Sequence, residues 1–236
     1  MNYQGLPYTI FPLGDSAVTI DYGNTISEEI NDMVLGRFHQ FQLQRIPGVI
    51  EIVPSYSSFT IYYDVYELKK NNSYGLTAFE WMKSKIEELL KYSVQKNETE
   101  QRSIRIPVCY DEEFAPDLQQ MATFKNCSFE EIIKIHTSVQ YRVYMIGFLP
   151  GFAYMGVVDE KIMMPRKQQP VKVKEGSVGI AGKQTGIYPL SSPGGWQIIG
   201  RTPIKMFDAE KDDPAFLKAG DIVQFYSISK DEFESY

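Results

Sequence analysis

The chain is short of the residues that most often carry chemistry. Its 236 residues include two histidines, His39 and His136, and two cysteines, Cys109 and Cys127. The histidines stand far apart, and neither cysteine has a CxxC neighbour, so no metal site is expected. No basic and apolar export signal opens the sequence, and no stretch approaches the roughly 20 apolar residues of a membrane helix. The thiols are therefore expected to be reduced and the protein cytoplasmic. There is no Lys/Arg-rich run and the net charge is −6, which argues against nucleic acid as a partner. Gly182-Lys183 resembles the end of a phosphate loop. Ser177 and Gln184, however, stand where that motif needs glycine and Ser/Thr. Neither GxGxxG nor GxSxG occurs, which disfavours a dinucleotide fingerprint and a serine-hydrolase elbow.

What is plentiful is aromatic: 16 Tyr and 14 Phe, suited to strands and aromatic-lined pockets. The length allows one large or two ordinary domains. The first part alternates short strand patterns, Tyr8 to Phe11, Ala17 to Asp21, Ile50 to Ile52 and Ser58 to Tyr63, with two helical ones. Ser27 reads as an N-cap before the stripe Ile30, Met33, Val34, Phe38 and Phe41, and a second helix is expected from about Thr77 to Tyr92. That order predicts an α+β domain over residues 1–98, a ferredoxin-like sandwich with helices on one face of an antiparallel sheet. Ser93 to Arg102 is polar and unpatterned, the best linker candidate. The strand Ile104 to Tyr110 could close the first sheet or open the second domain.

Residues 99–236 read differently. Ser128-Phe129-Glu130-Glu131 is a capping-box pattern ahead of a short helix ending near His136. Tyr141 to Phe148 alternates as a strand. Beyond Gly147 short apolar pairs sit between Gly and Pro turns, which predicts a β-barrel or sandwich. Two loop systems stand out. One is Gly147-Phe148-Leu149-Pro150-Gly151-Phe152-Ala153-Tyr154, with Pro165-Arg166 beyond it. The other is Ile180 to Pro203, IAGKQTGIYPLSSPGGWQIIGRTP, which holds five glycines and no Asp, Glu, His or Cys. Either the glycines serve barrel corners and Trp196 is core, or the loops line a cleft. Arg166 and Arg201 could hold a carboxylate or phosphate there. Gln184, Thr185 and Tyr188 offer neutral donors and acceptors. His136 could be a general base, or could cap its helix.

Three motifs, GFLPGFAYMG, IAGKQTGIYP and SPGGWQIIGRTP, in this order, closely resemble the allophanate hydrolase subunit 1 family. Its members include the 5-oxoprolinase B subunit (PxpB) and the kinase inhibitor KipI. The resemblance extends from FPLGDSA at Phe11 through IPVCY and HTSVQYRVYMIGF to AGDIVQF near the C-terminus. It implies an α/β N-terminal domain followed by a cyclophilin-like barrel. It also implies work with a second, cyclophilin-like 5-oxoprolinase component C and with component A, converting 5-oxo-L-proline to L-glutamate with ATP and Mg. No ATP is expected on this chain alone. The other reading it implies is inhibition of a sensor histidine kinase, with the groove gripping a proline-containing segment.

On the residues matching the family motifs, the resemblance places a groove at Gly147, Phe148, Pro150, Gly151, Phe152, Gln184, Thr185, Tyr188, Gly194, Gly195, Trp196 and Thr202. Arg166, Arg201 and His136 are its candidate catalytic residues. The chain departs from the family pattern at Pro170-Val171, where an arginine is usual, and at Tyr110 to Leu118.

Overall fold

The computed structural model describes residues 6–70, 75–93 and 101–236. It divides into two compact units, Met1–Thr99 and Glu100–Tyr236. Most of the expected linker, residues 94–100, lies outside the described residues.

In the first unit β1 (Thr9–Pro12), β2 (Ala17–Asp21), β3 (Val49–Pro54) and β4 (Ser58–Tyr63) form an antiparallel sheet in the order β1-β2-β4-β3. Helix α1 (Glu28–Gln44) joins β2 to β3; α2 (Val65–Lys70) and α3 (Ala78–Leu90) follow β4. Alternation in β4 sends Phe59, Ile61 and Tyr63 inward, against Met33, Val34 and Phe41 of α1 and Met82 and Ile86 of α3. Ser27 caps α1, and Thr77 and Glu80 form a full capping box on α3. The connectivity β1-β2-α1-β3-β4-α2-α3 is α+β. Its opening hairpin differs from the βαββαβ order expected of a ferredoxin-like sandwich.

In the second unit β5 (Ser103–Cys109), α4 (Leu118–Lys125), α5 (Phe129–Ser138), β6 (Gln140–Ile146) and β7 (Ala153–Gly156) come first. Then follow β8 (Val171–Val173), β9 (Ser177–Ala181), β10 (Gln184–Ile187), β11 (Ser192–Gly194), β12 (Gln197–Arg201), β13 (Ile222–Ile228) and α6 (Lys230–Glu234). Seven strands close a barrel in the order β10-β7-β6-β13-β5-β12-β9, and β8 and β11 pair as a separate ribbon. The strand following the linker thus belongs to the barrel. It pairs parallel with β13, Ser103 opposite Ile222, while the other barrel pairs are antiparallel. Beside that seam Arg102 Nε donates to Asp221 Oδ1 at 2.8 Å, and the buried Asp221 also accepts from the Lys218 amide at 2.7 Å. A bidentate arginine–carboxylate pair fixes both angle and register.

The period of two then sorts side chains to the two faces of the barrel wall. Ala153, Met155, Val178, Ile180, Ile187 and Ile199 enter the barrel core with Tyr141, Val143 and Phe225. Their neighbours Tyr154, Ala181 and Ile198 point outward, where they join Phe152, Val173, Tyr188 and Trp196 in a second, smaller core.

Cys109 and Cys127 are both free thiols, Cys109 buried and Cys127 half-buried. Burial pushes the Cys109 thiol up, which leaves little thiolate. A disulfide-exchange reagent is expected to label Cys127 in the native protein, and Cys109 only after denaturant is added. Equal labelling rates for both would contradict the barrel packing.

Candidate functional site

The outer core is built on a bare patch of sheet. Gly186 of β10 and Gly179 of β9 are cross-strand partners. Both face outward between inward-facing neighbours. A methyl group on Gly186 would sit 3.0 Å from the Trp196 ring and 3.1 Å from Phe152; one on Gly179 would sit 3.1 Å from Trp196 Cβ. The two glycines let the rings lie close on the backbone. Phe152 packs edge-on against Tyr188 at 5.2 Å and Trp196 at 5.3 Å, with Tyr154 at 4.7 Å. Such edge-to-face pairs add about 0.5–1.5 kcal/mol each beyond the area they bury. Gly194 of the ribbon is needed for the same reason, since a side chain there would overlap the Tyr188 ring. Trp196 is 4% exposed, so it is both core and the floor of a surface shelf.

One edge of the shelf is the segment Pro165 to Lys167, pinned on both sides. Gln197 Nε2 donates to the Pro165 carbonyl at 3.0 Å, and the Lys167 amide donates to the Gly195 carbonyl at 2.7 Å. Lys167 Nζ lies 2.6 Å from Asp117 Oδ2, which also accepts from the Ile198 amide at 2.6 Å. Asp117 stands at the N-cap of α4 but makes no side-chain cap there. Its carboxylate is used to hold β12 and Lys167 instead. Between these anchors Arg166 is exposed, its guanidinium carbon 6.0 Å from the centre of the Trp196 ring. Burial raises the phenols of Tyr154 and Tyr188, and the Arg166 charge opposes that rise at both.

The other edge is the loop between β6 and β7. Gly147 NH donates to Phe152 O at 3.0 Å, and Leu149 NH to Gly147 O at 2.9 Å. The second bond closes a γ-turn around Phe148, whose φ is +69°. That conformation is costly for a bulky L-residue, by about 1–2 kcal/mol. The strain holds an aromatic ring in solvent, 66% exposed, edge-on to Phe152 at 5.8 Å. Pro150 is exposed beside it. Gly151, at φ +80°, backs against the Met206 carbonyl and Phe207.

His136 is elsewhere. It is 0% exposed, inside the barrel, stacked on Phe225 at 4.6 Å. Its Nδ1 lies 2.8 Å from the Tyr110 hydroxyl and its Nε2 3.0 Å from Thr185 Oγ1. Thr185 Oγ1 donates its one proton to the Gly179 carbonyl at 3.1 Å. It must therefore accept from His136, which assigns the proton to Nε2 and leaves Nδ1 to accept from Tyr110. Desolvation lowers the imidazole pKa to about 3 and raises the Tyr110 phenol well above its ordinary value. A neutral, sealed histidine with both nitrogens satisfied cannot meet a ligand on the surface. In this arrangement it positions β10 rather than acting as an acid or base.

The expected groove residues are thus split by the barrel wall. Phe148, Phe152, Arg166, Tyr188, Gly194, Gly195 and Trp196 gather outside; Thr185 and His136 lie inside. Gln184 opens β10, half-buried, after the two-residue turn Gly182-Lys183, with Gly182 at φ +57°. Arg201 ends β12, about 13 Å of strand beyond Gln197. There its Nε donates to the Glu175 carbonyl at 2.7 Å, and its guanidinium lies 5.7 Å from the Phe233 ring of α6. Thr202 is buried and its hydroxyl accepts from the Ile204 amide at 3.2 Å. The two arginines do not form one clamp. Sequence reading missed Asp117, Lys167 and Gln197. Only Lys167 carried a local signal, its adjacency to Arg166; the Asp117 contacts span 50 residues or more and leave no periodic trace.

Two outcomes follow. In 15N spectra His136 is expected to show the Nε2–H tautomer with no titration between pH 8 and 5. Because the unfolded imidazole takes a proton near pH 6.5 and the folded one only near 3, barrel stability should fall as pH drops through that window, by about 1.4 kcal/mol per pH unit. Titration of the folded imidazole near 6.5 would contradict the sealed network. Phe148→Gly should relieve the turn, with denaturant unfolding showing no loss or a gain of up to about 1 kcal/mol. A loss of more than about 1 kcal/mol would mean the ring is a packing element instead.

Comparison with known proteins identifies the family. The family model described as carboxyltransferase domain, subdomain C and D, matches residues 8–217. The 5-oxoprolinase B subunit of Bacillus subtilis (strain 168) is 44% identical over 231 residues, 97% of this chain and 96% of that protein. The crystal structure of TTHA0988 superposes with a TM-score of 0.76 at 31% identity, covering 91% of this chain; the chain spans 40% of that one. The Kluyveromyces lactis urea carboxylase shares the fold, with a TM-score of 0.76 at 18% identity over 97% of this chain and 22% of its own. A family match over most of the sequence and an end-to-end relative agree: the chain belongs to the carboxyltransferase-domain family of subdomains C and D, the group of the 5-oxoprolinase B subunit.

Proposed function

We propose that this chain is the B subunit of an ATP-dependent 5-oxoprolinase. Together with components A and C of that enzyme it converts 5-oxo-L-proline to L-glutamate. The observation that carries the reading is the likeness to the Bacillus subtilis protein over nearly the full length of both chains. The site is compatible with it. The shelf presents aromatic faces, one free guanidinium and no nucleophile, which suits a chain that positions a ligand while another component activates it. An amide in a five-membered ring is a poor electrophile; coupling to ATP supplies the driving force.

ATP and its magnesium belong, in this reading, to the assembled complex. Among the described residues no three His, Cys, Asp or Glu side chains come together to hold a metal ion. The chain's contribution in this reading is binding and orientation. Association with further polypeptide is supported by the longer relatives, in which this fold makes up 40% or 22% of the chain. No described helix is long and apolar enough to cross a membrane.

Reconstitution tests the proposal. The chain alone should release no glutamate from 5-oxo-L-proline. Mixed with components A and C it should do so only when ATP is present. A complete, stable assembly without ATP-dependent release of glutamate would overturn the reading.

A further inference from the structure

The shelf ends on a charge that the fold does not use. Among the described residues no carboxylate pairs with Arg166, whose contact is the Trp196 ring. A guanidinium lying over an indole has its face occupied and its N–H edge free for a planar partner. Its backbone neighbours are fixed at Pro165 and Lys167, so little ordering remains to be done on binding. The surrounding sequence is unusual in charge. From Lys161 to Phe207 eight lysines and arginines stand against one acid, Glu175, in a chain of net charge −6. An excess of cations along this stretch weakens the repulsion that an acidic protein exerts on an anion.

The geometry points to a carboxylate-recognition subsite, in which Arg166 takes the carboxylate of a small, flat acid and the aromatic edge of the shelf, the exposed Phe148 and the half-buried Tyr154, takes its ring. This deepens the 5-oxoprolinase reading and rests on it for the identity of the acid. In 5-oxo-L-proline the carboxylate and the lactam carbonyl flank the ring nitrogen on opposite sides. Holding the first by Arg166 leaves the second unclaimed by this chain's cation. Monoanion and site match in charge. The adjacent cation, Lys167, is already neutralised by Asp117, so one guanidinium with one two-bond edge remains. A phosphate dianion calls for more donors than that.

The test uses the full chain carrying Trp81→Phe, in which Trp196 is the sole tryptophan. It is titrated with 5-oxo-L-proline, its uncharged carboxamide and inorganic phosphate. The acid should give a saturable change in Trp196 fluorescence. The carboxamide and phosphate should bind at least ten-fold more weakly. Arg166→Met should abolish the acid response, and Arg166→Lys should retain part of it. In the assembled enzyme Arg166→Met should raise KM for the acid at least ten-fold with a smaller change in kcat, and leave KM for the carboxamide unchanged. The subsite is overturned by equal binding of acid and carboxamide, by phosphate binding as tightly as the acid, by an unchanged acid response in Arg166→Met, or by no Trp196 response to the acid. Loss of the enzyme reading is seen separately, as an assembly that binds the acid at Trp196 but turns nothing over.

Discussion

A pair of glycines facing each other across two strands sets the geometry of everything outside the barrel. Gly179 and Gly186 leave the outer face of β9 and β10 without side chains. Trp196 and Phe152 can then approach the backbone itself, and Tyr154, Tyr188 and Ile198 complete a small core around them. The ribbon of β8 and β11 brings Gly194 against Tyr188. Arg166 depends on this packing at one remove, because its platform is the Trp196 ring. A single added methyl on either strand would force the indole away, and the guanidinium would lose its support. Large-to-small changes in such a cluster typically cost about 3–5 kcal/mol, so the shelf is also part of what holds the barrel wall.

The same wall carries a second system on its inner side. Thr185 precedes Gly186 and points the opposite way, to His136. The chain of bonds from Tyr110 through His136 and Thr185 ends on the Gly179 carbonyl. The buried polar network thus grips the backbone of one of the two glycines that floor the outer shelf. A satisfied network in a low-dielectric interior is stiff and specific. His136 thus fixes the height of the floor from inside the barrel.

Much of this was legible in the sequence where the signal is periodic. The strand β2 and the strand β4 fall at their expected residues, and Ser27 caps α1 as read. Short elements escaped, because the six residues of α2 are too few to show a helical period and its cap, Asp64, lies in a strand-like context. The glycines of Ile180 to Pro203 had two readings, corner or cleft. Both occur, at different residues: Gly182 turns a hairpin, while Gly186 and Gly194 make room for rings. What the sequence could not reveal is the side of the wall. Thr185 and Tyr188 are three residues apart, an odd spacing that sends them to opposite faces of an extended chain, but which face is the core is set by the closure of the barrel and not by the alternation. Arg166 and Arg201 look like a pair in the sequence. The length of β12 keeps them apart.

The seam between β5 and β13 has a consequence of another kind. Its partners are 119 residues apart along the chain at the Arg102–Asp221 pair, and the barrel has no closed form without it. Every other strand can find a neighbour sooner. During synthesis the first unit, which precedes the barrel in the chain, can settle while the barrel waits as an open sheet for its last strand. Until β13 arrives, the parallel edge of β5 is unpaired, and the protein is at its most prone to pair with the wrong chain.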